Sequence, residues 1–245
     1  MKKYFNILIK FIKDNVILIV ILTGIFLVCL NLYNGNDNGN DNGNDNDKEM
    51  IFYDENDRLV DHKNAEVTEQ ELSDKYINSS DVVLELGARY GTVSCLVNKK
   101  LNDKKLHYVV EPDSRVWNAL EKNKTINSCE FNIIKGVIGG KKYKLQGDGY
   151  GTTVIESDES DESDESDIKT FSLPEIDFNT LIVDCEGCFE NFYRENKAFV
   201  NGLDKIMYET DYPDKCDYNF IESELLKAGF KIKENINNFH YVLMK

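Results

Sequence analysis

The sequence predicts an α/β fold in which a mostly parallel sheet is flanked by helices and closed by an antiparallel hairpin. Short apolar runs rich in Val and Ile alternate with polar stretches of helical length, as expected for strands joined by right-handed crossovers. The chain then ends on two apolar runs around "NINN", which read as a terminal hairpin. Four of the runs also finish on carboxylates, which marks one edge of the sheet as chemically distinct.

Taken in order, "VTEQELSDKYINSS" (67–80) has helical spacing and an acidic first turn. "DVVLEL" (81–86) and "LHYVVEP" (106–112) are the first two strands, and "SRVWNALEKNKTINS" (114–128) is the helix that follows. "EFNIIKGVIG" (130–139), "FNTLIVDCEG" (178–187) and "LDKIMYETD" (203–211) continue the strand series. "GFKIKENINNFHYVLMK" (229–245) supplies the hairpin.

Composition separates an appendage from this domain. Residues 1–33 begin with Lys2, Lys3, Lys10 and Lys13, and no charge occurs from Asn15 to Asn36. A span of that length, apolar on every face and lacking a small-x-small cleavage pattern, is expected to be an uncleaved transmembrane anchor through residues 15–33. Residues 34–47, "NGNDNGNDNGNDND", have nothing to bury and read as a tether of roughly 20 Å r.m.s. length. The positive-inside bias places the N-terminus in the cytosol and residues 48–245 in a lumen or outside the cell. The sequons at Asn78 and Asn123 offer a readout of that topology.

The formal charge is -15, and the tract "ESDESDESDESD" (156–167) supplies eight of the acidic residues. Without it the chain is only mildly acidic, so no nucleic-acid partner is expected. The tract itself reads as a disordered loop insertion.

The run "VVLELGARYGTVS" (82–94) places two glycines at the first strand-to-helix bend. Gly87 permits the turn, Gly91 permits close helix packing, and both leave the backbone open to a ligand. Glu111, 20 residues after Gly91, stands at the end of the second strand, where a carboxylate reaches ribose hydroxyls. Arg89 fills the slot in which a dinucleotide fingerprint needs glycine, so NAD and FAD are disfavoured. S-adenosylmethionine has no phosphate, and its amino-acid end could be met by Glu85. The expected cofactor set is Glu85, Gly87, Ala88, Arg89, Gly91, Glu111 and Asp113, with Gly136 and Val137 at the third run.

These stretches, with "YVVEPDSRVWNALEKNKTIN", "FNTLIVDCEGCFENF" and "KIMYETD", resemble the FkbM-type family of class I S-adenosylmethionine-dependent methyltransferases. The resemblance runs from about Asp81 to Phe230, and its most specific parts are "EPD" and "D-x-E-G-x-x-E". Arg89 stands where the family commonly has Asn, and the family's lysine before the last motif is absent. The resemblance implies a Rossmann-like, seven-stranded sheet and O-methylation of a hydroxyl-bearing acceptor such as a glycan. Asp184 and Glu186 are the candidates for orienting that acceptor or taking its proton, with Glu209 a third. The alternative is a non-catalytic domain of the same fold that binds a glycan or protein partner.

No metal is expected. His62, His107 and His240 are scattered without ligand spacing, and His107 reads as structural. Cys185 and Cys188 have no second pair nearby, and five cysteines outside the anchor do not announce a disulfide framework.

Overall fold

Residues 49–157 and 168–245 are described in the computed structural model. The apolar span, the tether and residues 158–167 of the acidic tract lie outside the described residues. Among those described, no helix is long and apolar enough to cross a membrane.

In chain order, helix α1 (Val67–Tyr76) precedes β1 (Val83–Leu86), α2 (Thr92–Lys100), β2 (His107–Glu111), α3 (Trp117–Ile126) and β3 (Asn132–Lys135). Four short strands follow: β4 (Val137–Ile138), β5 (Tyr143–Gln146), β6 (Thr153–Glu156) and β7 (Thr170–Phe171). The chain then returns through β8 (Thr180–Val183), α4 (Phe189–Glu195), α5 (Lys197–Gly202), β9 (Lys205–Glu209) and α6 (Tyr218–Lys227). It ends on β10 (Lys231–Ile236) and β11 (His240–Met244).

The main sheet has seven strands in the order β10-β11-β9-β8-β1-β2-β3, and β11 pairs antiparallel with both neighbours while the other pairs are parallel. Its central strands are buried on both faces, which explains their unbroken Val, Leu and Ile runs. Leu84 and Leu86 pack with Leu181, Ile206, Phe189 and Leu225 on one side. Val83 points the other way, into a cluster with Val93, Val97, Ile182 and Val242. The hairpin turns on Asn237 and Asn238, both in the left-handed region at φ 57° and 56°. The Phe239 N–H donates to the Ile236 carbonyl across it, a type I′ turn.

Three expectations are corrected. The run 130–139 is not one strand. Gly136, at φ 154°, ends β3 so close to the chain that a Cβ would lie 2.1 Å from the Lys169 carbonyl oxygen. Beyond that point β4 joins β7, while β5 and β6 form a second two-stranded sheet. The expected disordered loop does not take in Glu156 or Ser157, because Glu156 pairs with Tyr143 and the buried Ser157 donates its N–H to the Lys142 carbonyl.

Four of the cysteines do pair. Cys95 is disulfide-bonded to Cys129, and Cys185 to Cys188, with Cα separations of 5.7 and 5.4 Å. Cys95 lies on α2 and Cys129 just before β3, so their proximity is a product of the crossover and leaves no mark in the spacing.

Candidate active site

The chain leaves β1 for β2 and β3 on one side, then returns to β8 and β9 on the other. The split between β1 and β8 is the topological switch point, where the carboxyl ends of parallel strands open a crevice. A large cavity lies there, lined by Glu85 to Arg89, Glu111 to Asp113, Gly136 to Ile138, Asp184 to Glu186, and side chains of the β5–β6 hairpin. The strand-end carboxylates of β1, β2, β8 and β9 therefore share one edge, as their sequence positions indicated.

Glu111 is almost wholly buried, and each of its oxygens accepts a backbone N–H. Oε2 takes that of Arg89 at 2.7 Å and Oε1 that of Asp113 at 2.7 Å. Burial pushes its carboxyl up to about 7, partly offset by those two N–H groups. Each oxygen keeps a further lone pair for a ligand hydroxyl. Burial would raise Asp113 as well, but bonds from Arg115 hold it below the usual range.

The glycines work differently from the expectation. Gly87, at φ 91°, would place a Cβ 1.6 Å from the Asp184 carbonyl oxygen, so its bareness lets β1 and β8 meet rather than clearing space for a ligand. Gly91 does not line the cavity. It starts α2 at φ 78° and lies against Leu120. Ala88, Gly136 and Val137 do line it.

Glu85 reaches the cavity wall, yet its carboxylate is committed within the protein. Oε1 accepts from the Ser94 hydroxyl at 2.6 Å and Oε2 lies 2.9 Å from His107 Nε2. These two contacts tie β1, α2 and β2 together. His107 is thus the buried structural histidine its position suggested.

On the β8 side, Asp184, Glu186 and Asp211 bring carboxylate oxygens within 4.8 Å of one another. Burial, then the charges of Glu66, Glu69 and Glu186, push Asp184 well above its ordinary value. Burial and a hydrogen bond with Asp211 push Glu186 up to about 8. Glu209 does not line this cavity. It faces a smaller one with Glu69 and His240, where burial and the nearby Asp184 raise it to about 10.

Several lining residues carried no sequence signal. Glu66 and Glu69 come from α1 and the turn before it, and Tyr150 and Thr152 from the β5–β6 connection. The Arg89 guanidinium sits 4.2 Å from the Tyr150 ring centroid and 4.7 Å from that of Tyr90, so the side chain that blocks a pyrophosphate is clamped between aromatic rings.

The wall holds seven carboxylates and, among the described residues, Arg89 as its single cation. Those of the seven that are ionised repel a pyrophosphate and attract a cation. The arrangement can therefore grip a hydroxylated, positively charged ligand at β2 and hold or accept a proton at β8.

No family model matches the chain, and no curated protein matches it. Among solved structures it is similar to a precorrin-6y C5,15-methyltransferase from Geobacter metallireducens, at 11% identity over 81% of this chain and 100% of that one, with TM-score 0.48. A ribosomal protein L11 methylase from Lactobacillus delbrueckii gives 11% identity over 73% and 77%, with TM-score 0.44. Fibrillarin from Aeropyrum pernix, with natively bound S-adenosyl-L-methionine, gives 14% over 82% and 84%, with TM-score 0.42. Likeness at this level carries no inference about activity.

Proposed function

We propose that the chain is an S-adenosylmethionine-dependent methyltransferase of the FkbM type, acting on a hydroxyl acceptor such as a glycan. The observation that carries this is the joining of a strand-end ribose acid, Glu111, to a cavity wall of seven carboxylates and one arginine. The cofactor has two cationic groups against one carboxylate and no phosphate, so it suits a wall that would reject NAD or FAD. When bound, it supplies an electrophilic methyl group.

The protein's part is to position and to move a proton. Glu111 holds ribose hydroxyls with the lone pairs left free by Arg89 and Asp113. Asp184, whose burial and neighbouring acids favour its protonated form, orients the acceptor oxygen by donating a hydrogen bond. Glu186, at about 8, takes the acceptor's proton on a carboxylate oxygen as pH rises towards that value. Labelled methyl transfer to a panel of glycans, lipids and proteins tests the acceptor class. Transfer to a sugar hydroxyl supports it; tight binding without any transfer or demethylated product favours the non-catalytic domain.

The domain is further proposed to face a lumen or the exterior, held there by residues 15–33. Two disulfides support an oxidising compartment. Asn78 is exposed and free to carry a glycan, whereas Asn123 is buried and donates to the Tyr53 and Tyr90 carbonyls. In sealed microsomes the domain resists added protease until detergent is present; digestion without detergent places it in the cytosol.

A further inference from the structure

We propose that Glu69, Glu209 and His240 form a binding site for one divalent first-row transition ion, for which Zn2+ is the matched probe. The three belong to different elements. Glu69 is on α1, Glu209 ends β9, and His240 starts β11 directly opposite Glu209 in the strand register. His240 Nε2 lies 2.6 Å from Glu69 Oε1 and 3.8 Å from Glu209 Oε2, and all three donor atoms fall within 4.8 Å of one another. Zinc bonds of about 2.0–2.2 Å place neighbouring donors roughly 3–3.6 Å apart, so only small side-chain adjustments are needed.

A second observation points to a ligand. Ser73, one helical turn after Glu69, is wholly buried and lines the same small cavity, yet its hydroxyl has no hydrogen-bond partner. Buried hydroxyls without partners are uncommon, and this one supplies an oxygen, directly or through water, at the open fourth position.

The donor set chooses the ion class. One imidazole nitrogen with two carboxylate oxygens suits zinc and its neighbours, whereas calcium and magnesium seek six or more oxygens. Charge agrees, since two glutamates bound as carboxylate ligands balance a dication. Glu69 and Asp184 line both this cavity and the larger one. The ion therefore sits behind the acidic wall and pins α1 to the β9–β11 edge. This site does not depend on the methyl-transfer reading.

The test uses the full chain in detergent, stripped with chelator and titrated calorimetrically with Zn2+ alone. One ion per chain is expected, with an upward shift of the melt. His240→Ala and Glu209→Gln each weaken Zn2+ binding by more than about tenfold and lose the melt shift. Glu186→Gln, in the all-carboxylate cluster with Asp184 and Asp211, leaves Zn2+ affinity unchanged. Absence of Zn2+ binding overturns the proposal, as does loss of affinity only in Glu186→Gln. Should the variants fail to fold, pulsed electron paramagnetic resonance of Mn2+ on the wild-type chain decides. Coupling to a directly bonded imidazole nitrogen is expected, and its absence overturns the site.

Discussion

The Glu111 carboxylate, at the end of β2, accepts the backbone N–H of Arg89 in the bend that follows β1. One contact thus fixes both the acid proposed to meet a ribose and the bend that brings in Arg89. Glu111→Gln keeps the shape but removes the charge from the acceptor. Charge-assisted bonds are worth about 1.5–3 kcal/mol, so cofactor affinity is expected to fall roughly 10- to 100-fold in calorimetric titration. Unchanged affinity would remove Glu111 from the site.

The same residue governs stability against pH. Its value rises from 4.5 unfolded to about 7 folded, so the folded state binds the proton more tightly. That contribution is complete below pH 4.5 and is lost as pH rises through 7, an effect on the order of 3 kcal/mol. Urea unfolding of the ligand-free protein at about pH 5 and about pH 8 should show the loss, and Glu111→Gln should reduce it, leaving the part due to the likewise raised Glu186 and Glu209.

Gly87→Ala should fail by misfolding rather than by blocking a ligand. Its Cβ would strike the Asp184 carbonyl oxygen, at a φ that L side chains rarely adopt. A loss of about 3 kcal/mol or more is expected from strain and overpacking together. Wild-type unfolding with cofactor binding abolished would restore the ligand-clearance explanation.

Lys205 at the start of β9 is buried against Asp81 just before β1, an ion pair inside the sheet's amino edge. Asp81→Ala leaves an unpaired buried ammonium and is expected to cost about 3–5 kcal/mol in urea unfolding. Replacing both by Ala and Met should recover much of it.

Removing the Cys95–Cys129 bridge by double alanine substitution should lower stability by about 2–4 kcal/mol, because a sequence separation of 34 is released in the unfolded chain. Equal stability of oxidised and reduced wild-type protein would show that the bridge contributes nothing.

The central strands β1 and β8 were legible because burial on both faces demands apolar runs, and the hairpin because two asparagines tolerate the left-handed region. β5 and β6 were not. "YKLQ" and "TVIE" are half-exposed, mixed in polarity and short, so neither period stands out. Strand-end acids such as Glu111 and Asp184 could be read because the parallel sheet sends every carboxyl end to one edge. Which way each side chain is spent could not. Glu85 is taken by Ser94 and His107, and Glu209 by residues as distant as Glu69, which lies 171 positions from His240. Such pairings are decided by the packing of α1 on the far strands, and the linear spacing holds no trace of them.

The most direct measurement is isothermal titration of the full chain with S-adenosylmethionine, with NAD as the control. The acidic wall and Glu111 predict saturable binding of S-adenosylmethionine at one site per chain, weakened in Glu111→Gln, and none of NAD. Binding of NAD without S-adenosylmethionine would contradict the assignment of this cavity.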